Sequence, residues 1–166
     1  KISIVGRGMS LGHTLIPPAL DRVHETKSRL LEQIATMLGG RTAEEIMFGE
    51  ITTGAADDIE KASMVARAMV VDYGMSDIGP ISFDKEQARM YGEGFPISDT
   101  LQTKIDAEVT KIINEAHKKA TAVLTKHRKK LDMVATALLT KETLEGEDFI
   151  KIMSGNTSEP KKTPKA

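Results

Sequence analysis

The sequence contains no cysteine. Disulfides and thiolate metal sites are therefore excluded, and a reducing compartment is compatible. It also lacks any run approaching the ~20 apolar residues that a transmembrane helix requires. Its opening, Lys1-Ile2-Ser3-Ile4-Val5-Gly6, is short and breaks at glycine, so it does not read as a signal peptide. An excess of one charge is missing as well: 23 Lys and Arg face 24 Asp and Glu, for a formal net charge of −1. Neutralising many phosphates takes a clear excess of Lys and Arg, so no nucleic-acid partner is expected. The one basic stretch, Lys126-His127-Arg128-Lys129-Lys130, falls within a helical pattern and reads as a solvated helix face.

The common catalytic signatures are absent too. There is no GxSxG, P-loop or GxGxxG, and His24-Glu25 runs on into Thr26-Lys27-Ser28 rather than completing an HExxH. No two of His13, His24, His117 and His127 stand four residues apart, the spacing that turns two imidazoles toward one zinc. Each reads as a lone exposed histidine.

What is present is an ordinary globular composition of 166 residues, 40% apolar and 28% charged, enough for one domain with a real core. The first 20 residues carry the β signal. Ile2 and Ile4 alternate with polar or small neighbours, Gly6-Arg7-Gly8 marks a turn, Leu11 to Ile16 resumes, and Pro17-Pro18 stops it. This predicts a small hairpin. From Thr26 the period becomes helical, with Leu30, Leu31, Ile34, Ala35 and Leu38 followed by Ala43, Ile46 and Met47. Gly39-Gly40 interrupts that stripe at ~1 kcal/mol per glycine relative to alanine. Either another backbone packs closely there or the helix breaks.

After a loop over 49–56, Ile59, Ala62, Ser63, Ala66, Met69, Val70 and Tyr73 share a helical face, with Gly74 as a C-terminal cap. Residues 75–97 read as an irregular connection with a brief strand at Ile81 to Phe83. Ser98 or Asp99 then caps a long helix with Leu101, Ile105, Val109, Ile112, Ile113, Ala116, Ala120, Val123 and Leu124 inward. Another helix buries Leu131, Val134, Ala135, Leu138 and Leu139. Residues Thr143 to Glu147 punctuate, and Asp148 to Met153 is a short final helix. The fold class expected is mainly α, a helical bundle with a small N-terminal β-hairpin. One domain is expected over 1–153, followed by a disordered polar tail over 154–166. A chain that begins inside an apparent strand, without methionine, reads as part of something longer.

The most informative segment is Thr52-Thr53-Gly54-Ala55-Ala56-Asp57-Asp58-Ile59. Two carboxylates at a helix start serve capping and the macrodipole. Alternatively, one of them points away from the apolar face as a hard oxygen ligand in a metal site.

Leu38-Gly39-Gly40-Arg41-Thr42-Ala43-Glu44-Glu45, Phe48-Gly49-Glu50 and Thr53-Gly54-Ala55-Ala56-Asp57-Asp58-Ile59 together resemble the protease domain of the FtsH family of AAA+ metalloproteases. The likeness continues in order. The opening from Lys1 to Gly8 with Leu11-Gly12 resembles the hairpin after that family's catalytic helix. Tyr73-Gly74-Met75-Ser76 with Gly79-Pro80, Ile105-Asp106-Ala107-Glu108-Val109, Leu131-Asp132 and Lys141 to Gly146 resemble its later segments. The resemblance covers roughly residues 1–153. Gly6 stands where proline is usual, Asp57 where asparagine is common, and the connection over 77–80 is short.

The resemblance implies a processive, ATP-dependent zinc endopeptidase acting on membrane and misfolded proteins. It further implies a homo-hexamer, anchored in a membrane by N-terminal helices and fed by an AAA+ domain that uses ATP and Mg. Asp58 matches the aspartate that gives zinc its third protein ligand, and Glu44 matches a glutamate near the site, either a candidate for steadying a ligand from outside the metal's own shell or a solvent-facing helix carboxylate. Gly39, Gly40 and Arg41 match structural positions. The family's two histidine ligands and its general base belong to an HExxH helix upstream of the position of Lys1. No catalytic residue is therefore expected within this chain, which by itself is expected to be inactive. The alternative reading is a non-catalytic helical module for assembly or partner binding.

Overall fold

The computed structural model describes residues 1–6, 12–15, 24–81 and 98–155. They fall into two compact units, one built from residues 24–81 and 98–126, the other from 1–6, 12–15 and 127–155. The expected strand at Ile81 to Phe83, apart from Ile81 itself, and most of the polar tail lie outside the described residues.

The larger unit is helical. Helix α1, Lys27–Met37, starts where Thr26 accepts the Arg29 N–H on its hydroxyl at 3.3 Å. Helix α2, Gly39–Phe48, follows after the single residue Leu38. The apolar stripe is thus carried by two helices, and the break lies at the glycine pair. A Cβ at Gly39 or Gly40 would meet nothing within 4 Å, so the alternative of a closely packed backbone fails there. Glycine costs a helix least in its first turn, which is where both residues sit. Buried Thr42 bonds back to the freed Leu38 carbonyl, with its backbone N–H at 3.0 Å and its hydroxyl at 2.8 Å. Gly49 then ends α2 in the left-handed conformation, φ +69°.

A 3-10 turn, Thr53–Ala55, leads into α3, Ala56–Val71. Gly74 does adopt a left-handed conformation, but two residues beyond the cap at Asp72. Its turn returns the Met75 N–H to the Met69 carbonyl at 2.8 Å. Of the two candidate caps for the long helix α4, Asp99–Lys126, Ser98 acts: its hydroxyl accepts the Leu101 N–H at 3.3 Å.

Helices α1, α3 and α4 pack mutually, and α2 packs on α4. Leu30, Ile34, Leu38, Ala62, Ala66, Met69, Val70, Ile105, Ile112 and Ala116 form their core. The alanines and one-turn spacings let α3 approach α1 and α4 closely. Three expected core positions turn outward: Tyr73 is 57% exposed and lies past the end of α3, Val123 is 50% exposed near the end of α4, and Ile59 is exposed on the first turns of α3.

The smaller unit joins the two ends of the described chain. Strands β1, Ile2–Ser3, and β2, His13–Thr14, pair antiparallel as the alternation predicts. A third strand, β3, Thr143–Leu144, pairs on the other side of β1, giving the order β2-β1-β3. The segment that reads as punctuation is therefore an edge strand. A two-residue strand carries no usable alternation, so only the partner across the sheet defines it.

Helix α5, Arg128–Lys141, and helix α6, Gly146–Ser154, cover this sheet with a second core of Leu138, Leu144 and Ile152, joined by Ile2, Val134 and Ala137. The buried face of α5 thus runs through Val134, Ala137 and Leu138. Leu139, placed inside by periodicity, is 79% exposed, and Ala135 is exposed as well. Glu142 ends α5 at φ +59°, and its carbonyl accepts the Ile4 N–H at 3.0 Å. The basic stretch is not one continuous helix face, because the helix breaks at His127. Two of its members are engaged: Arg128 meets Asp132 at 3.3 Å, and the Lys130 ammonium donates to the Met153 carbonyl at 2.6 Å, near the negative end of α6.

Candidate metal centre

Asp57 and Asp58 stand in the first turn of α3, and the two carboxylates have different surroundings. Neither caps the helix. Asp57 faces one turn ahead to Lys61 at 2.6 Å, and its hydrogen bond and charge raise the lysine above its ordinary pKa. Asp58 is exposed and makes no hydrogen bond or ion pair among the described residues. A carboxylate without an internal partner at the positive end of a helix is a hard oxygen donor available to a cation.

Glu44, in the middle of α2, is half-buried and engaged. Its two oxygens accept from one residue: Oε2 from the Thr52 N–H at 3.0 Å and Oε1 from the Thr52 hydroxyl at 2.9 Å. The Thr52 hydroxyl oxygen in turn accepts the Gly54 N–H at 3.2 Å. The structure therefore ties Glu44 to the segment that leads into the Asp58 helix. Arg41, Gly39 and Gly40 lie in the first turn of α2. Thr52 was missed in the sequence, although a threonine two residues before a glycine is a local signal for such a turn.

The histidines do not assemble with these carboxylates. Among the described residues, no three His, Asp or Glu side chains come together as a metal-binding group. His13, His24 and His127 are exposed, as expected. His117 is not. It is half-buried on α4, its Nε2 is buried without a hydrogen bond, and the Glu45 carboxylate of α2 lies 3.2 Å away. Its position next to the packed face of α4, between Ile113 and Ala120, explains the difference from a lone surface histidine.

An exposed carboxylate at a helix start, with the loop before it held by a second carboxylate, is a candidate oxygen donor to a metal. The model of peptidase family M41 matches residues 1–152, and the chain belongs to that family. It is 46% identical over 166 residues to the ATP-dependent zinc metalloprotease FtsH of Pseudothermotoga lettingae, covering 96% of this chain and 26% of that protein. To FtsH 4 of Synechocystis sp., which bears the same description, it is 47% identical over 157 residues, 90% of this chain and 25% of that protein. To the Bacillus subtilis FtsH it is 39% identical over 164 residues, 95% of this chain and 26% of that protein. The chain thus spans about a quarter of the length of the curated relatives it matches. None of the described helices is long and apolar enough to cross a membrane.

Proposed function

We propose that this chain is the C-terminal part of the peptidase portion, over residues 1–153, of an ATP-dependent zinc metalloendopeptidase. The observation that carries the reading is the exposed Asp58 carboxylate, without a partner among the described residues, within a chain of family M41. Asp58 fits zinc, which accepts carboxylate oxygen beside imidazole nitrogen. When bound, zinc supplies Lewis-acid activation of the water that attacks a peptide carbonyl. Asp58 contributes one ligand and negative charge; Glu44 holds the approach to its helix. The two imidazole ligands and the general base come from an HExxH helix outside this sequence.

Protein substrates, a homo-hexameric ring, an ATP- and Mg-using AAA+ motor and a membrane anchor belong to the same proposal; the relatives' names support ATP dependence, zinc and proteolysis, and the rest follows from the resemblance to the FtsH family. An extended substrate adds to the sheet as a further strand along β2. That reading is supported by the place of β2 at the sheet edge and the exposure of His13 and Thr14. Main-chain pairing of this kind tolerates many sequences, as a processive protease needs.

The test is Asp58→Asn in the full-length protein, with bound zinc measured by metal analysis and proteolysis followed on an unfolded protein. Loss of zinc together with loss of ATP-dependent cleavage is expected. Wild-type zinc content in the variant would remove Asp58 from the metal centre.

A further inference from the structure

Among the described residues Asp58 has no partner, so no contact of its own side chain there fixes where its carboxylate points. Only the backbone of the first turn of α3 can do that. The helix, however, begins without a side-chain cap: Ala55 occupies the cap position. The nearest anchor is one turn earlier. Thr52 is extended, at φ −112° and ψ 173°, and caps the 3-10 turn Thr53–Ala55 by accepting the Gly54 N–H. Both polar groups of Thr52 that face α2 are taken by the single Glu44 carboxylate. Ala55, the next residue but two, is buried, which pins the far side of the turn.

From this chain of bonds we infer that Thr52 is a positioning residue for the metal ligand. The Thr52 hydroxyl donates to Glu44 and accepts from Gly54, coupling a rigid helix, α2, to the turn that launches α3. Asp58 is the third residue of α3, so a rotation of that turn moves its carboxylate directly. Glu44 acts through Thr52 and the loop backbone, without touching the metal. The geometry a ligand set must keep is narrow, within about 0.5 Å of the productive arrangement. A solvent-exposed clasp that adds little to global stability still matters on that scale. The inference rests on the reading of Asp58 as a zinc ligand.

Thr52→Val in the full-length protein removes the hydroxyl while nearly keeping the shape; Thr52→Ser keeps the hydroxyl. Zinc affinity, measured by competition with a chromophoric chelator, is expected to fall about tenfold in Thr52→Val. It should return to the wild-type value in Thr52→Ser, with the thermal midpoints of both variants close to wild type. Amide exchange at Gly54 should accelerate only in Thr52→Val. Asp58→Asn serves as the reference. If Asp58→Asn loses zinc but Thr52→Val binds it as wild type does, the positioning role is overturned and the ligand reading stands. Equal losses in Thr52→Val and Thr52→Ser also overturn it, because the hydroxyl would then not be the cause. If Asp58→Asn itself keeps wild-type affinity, the ligand reading fails and takes this inference with it.

Discussion

Gly49 and Gly74 offer a controlled comparison, because both are left-handed and only one is crowded. Gly49 has φ +69° and open space where a Cβ would be. Gly74 has φ +58°, and a Cβ there would lie 3.0 Å from the Cα of Pro80, a backbone atom that cannot swing aside. Alanine in a left-handed conformation costs roughly 1–2 kcal/mol, and both substitutions carry that cost. Overpacking against this backbone neighbour adds about 1–3 kcal/mol at Gly74 alone. Gly49→Ala is therefore expected to lose about 1–2 kcal/mol and Gly74→Ala about 2–5 kcal/mol. Urea unfolding followed by far-UV circular dichroism reads both, with the denaturant slope checked for constancy. The difference between the two is the quantity of interest. Equal losses would show that the turn from Gly74 to Pro80 relaxes freely, and the close approach would not constrain the chain after α3.

Three further outcomes are expected. Glu142→Gly should raise the unfolding free energy by about 0.5–1 kcal/mol, since it relieves a left-handed non-glycine residue and leaves unchanged the carbonyl that accepts from Ile4; a fall in the midpoint would contradict this. Ile105→Ala, at a fully buried position of α4, should cost about 2–5 kcal/mol, while exposed Leu139→Ala should be nearly neutral by the same measurement. Asp77 is held below its ordinary pKa of 3.8 by its hydrogen bond and ion pair with Lys111, so its stabilising contribution is complete above that value and is lost as pH falls through the depressed one. The carboxyl resonance of Asp77 should move to a higher titration midpoint in Lys111→Met; an unchanged midpoint would refute the pairing.

Helix existence was legible because long apolar stripes at helical spacing leave few other folds that bury them. The stripe through Leu30, Ile34 and Leu38 and the run from Ile105 to Ala116 became the core of the larger unit. The exact inward arc was less legible. Leu139 and Leu138 are chemically equivalent to a periodicity argument, and only the position of β3 and α6 selects Leu138. Likewise Gly39-Gly40 is compatible with a break or a close contact until the space around it is known.

The sequence alone determined the helical class, the hairpin and the motif order that places the chain in family M41, because each rests on local periodicity or on contiguous residue identities. The helix-start setting left Asp57 and Asp58 equivalent as candidate ligands, and only the family resemblance singled out Asp58. Tertiary structure decided which of two adjacent aspartates is occupied by a lysine and which has no internal partner. It also decided that Glu44 reaches across eight residues to Thr52, and that Thr143–Leu144 completes a sheet begun at Ile2. The sheet pairing joins residues near opposite ends of the described chain, and the Glu44 contact joins a helix to a loop eight residues on. No pattern along one strand of sequence encodes either distance.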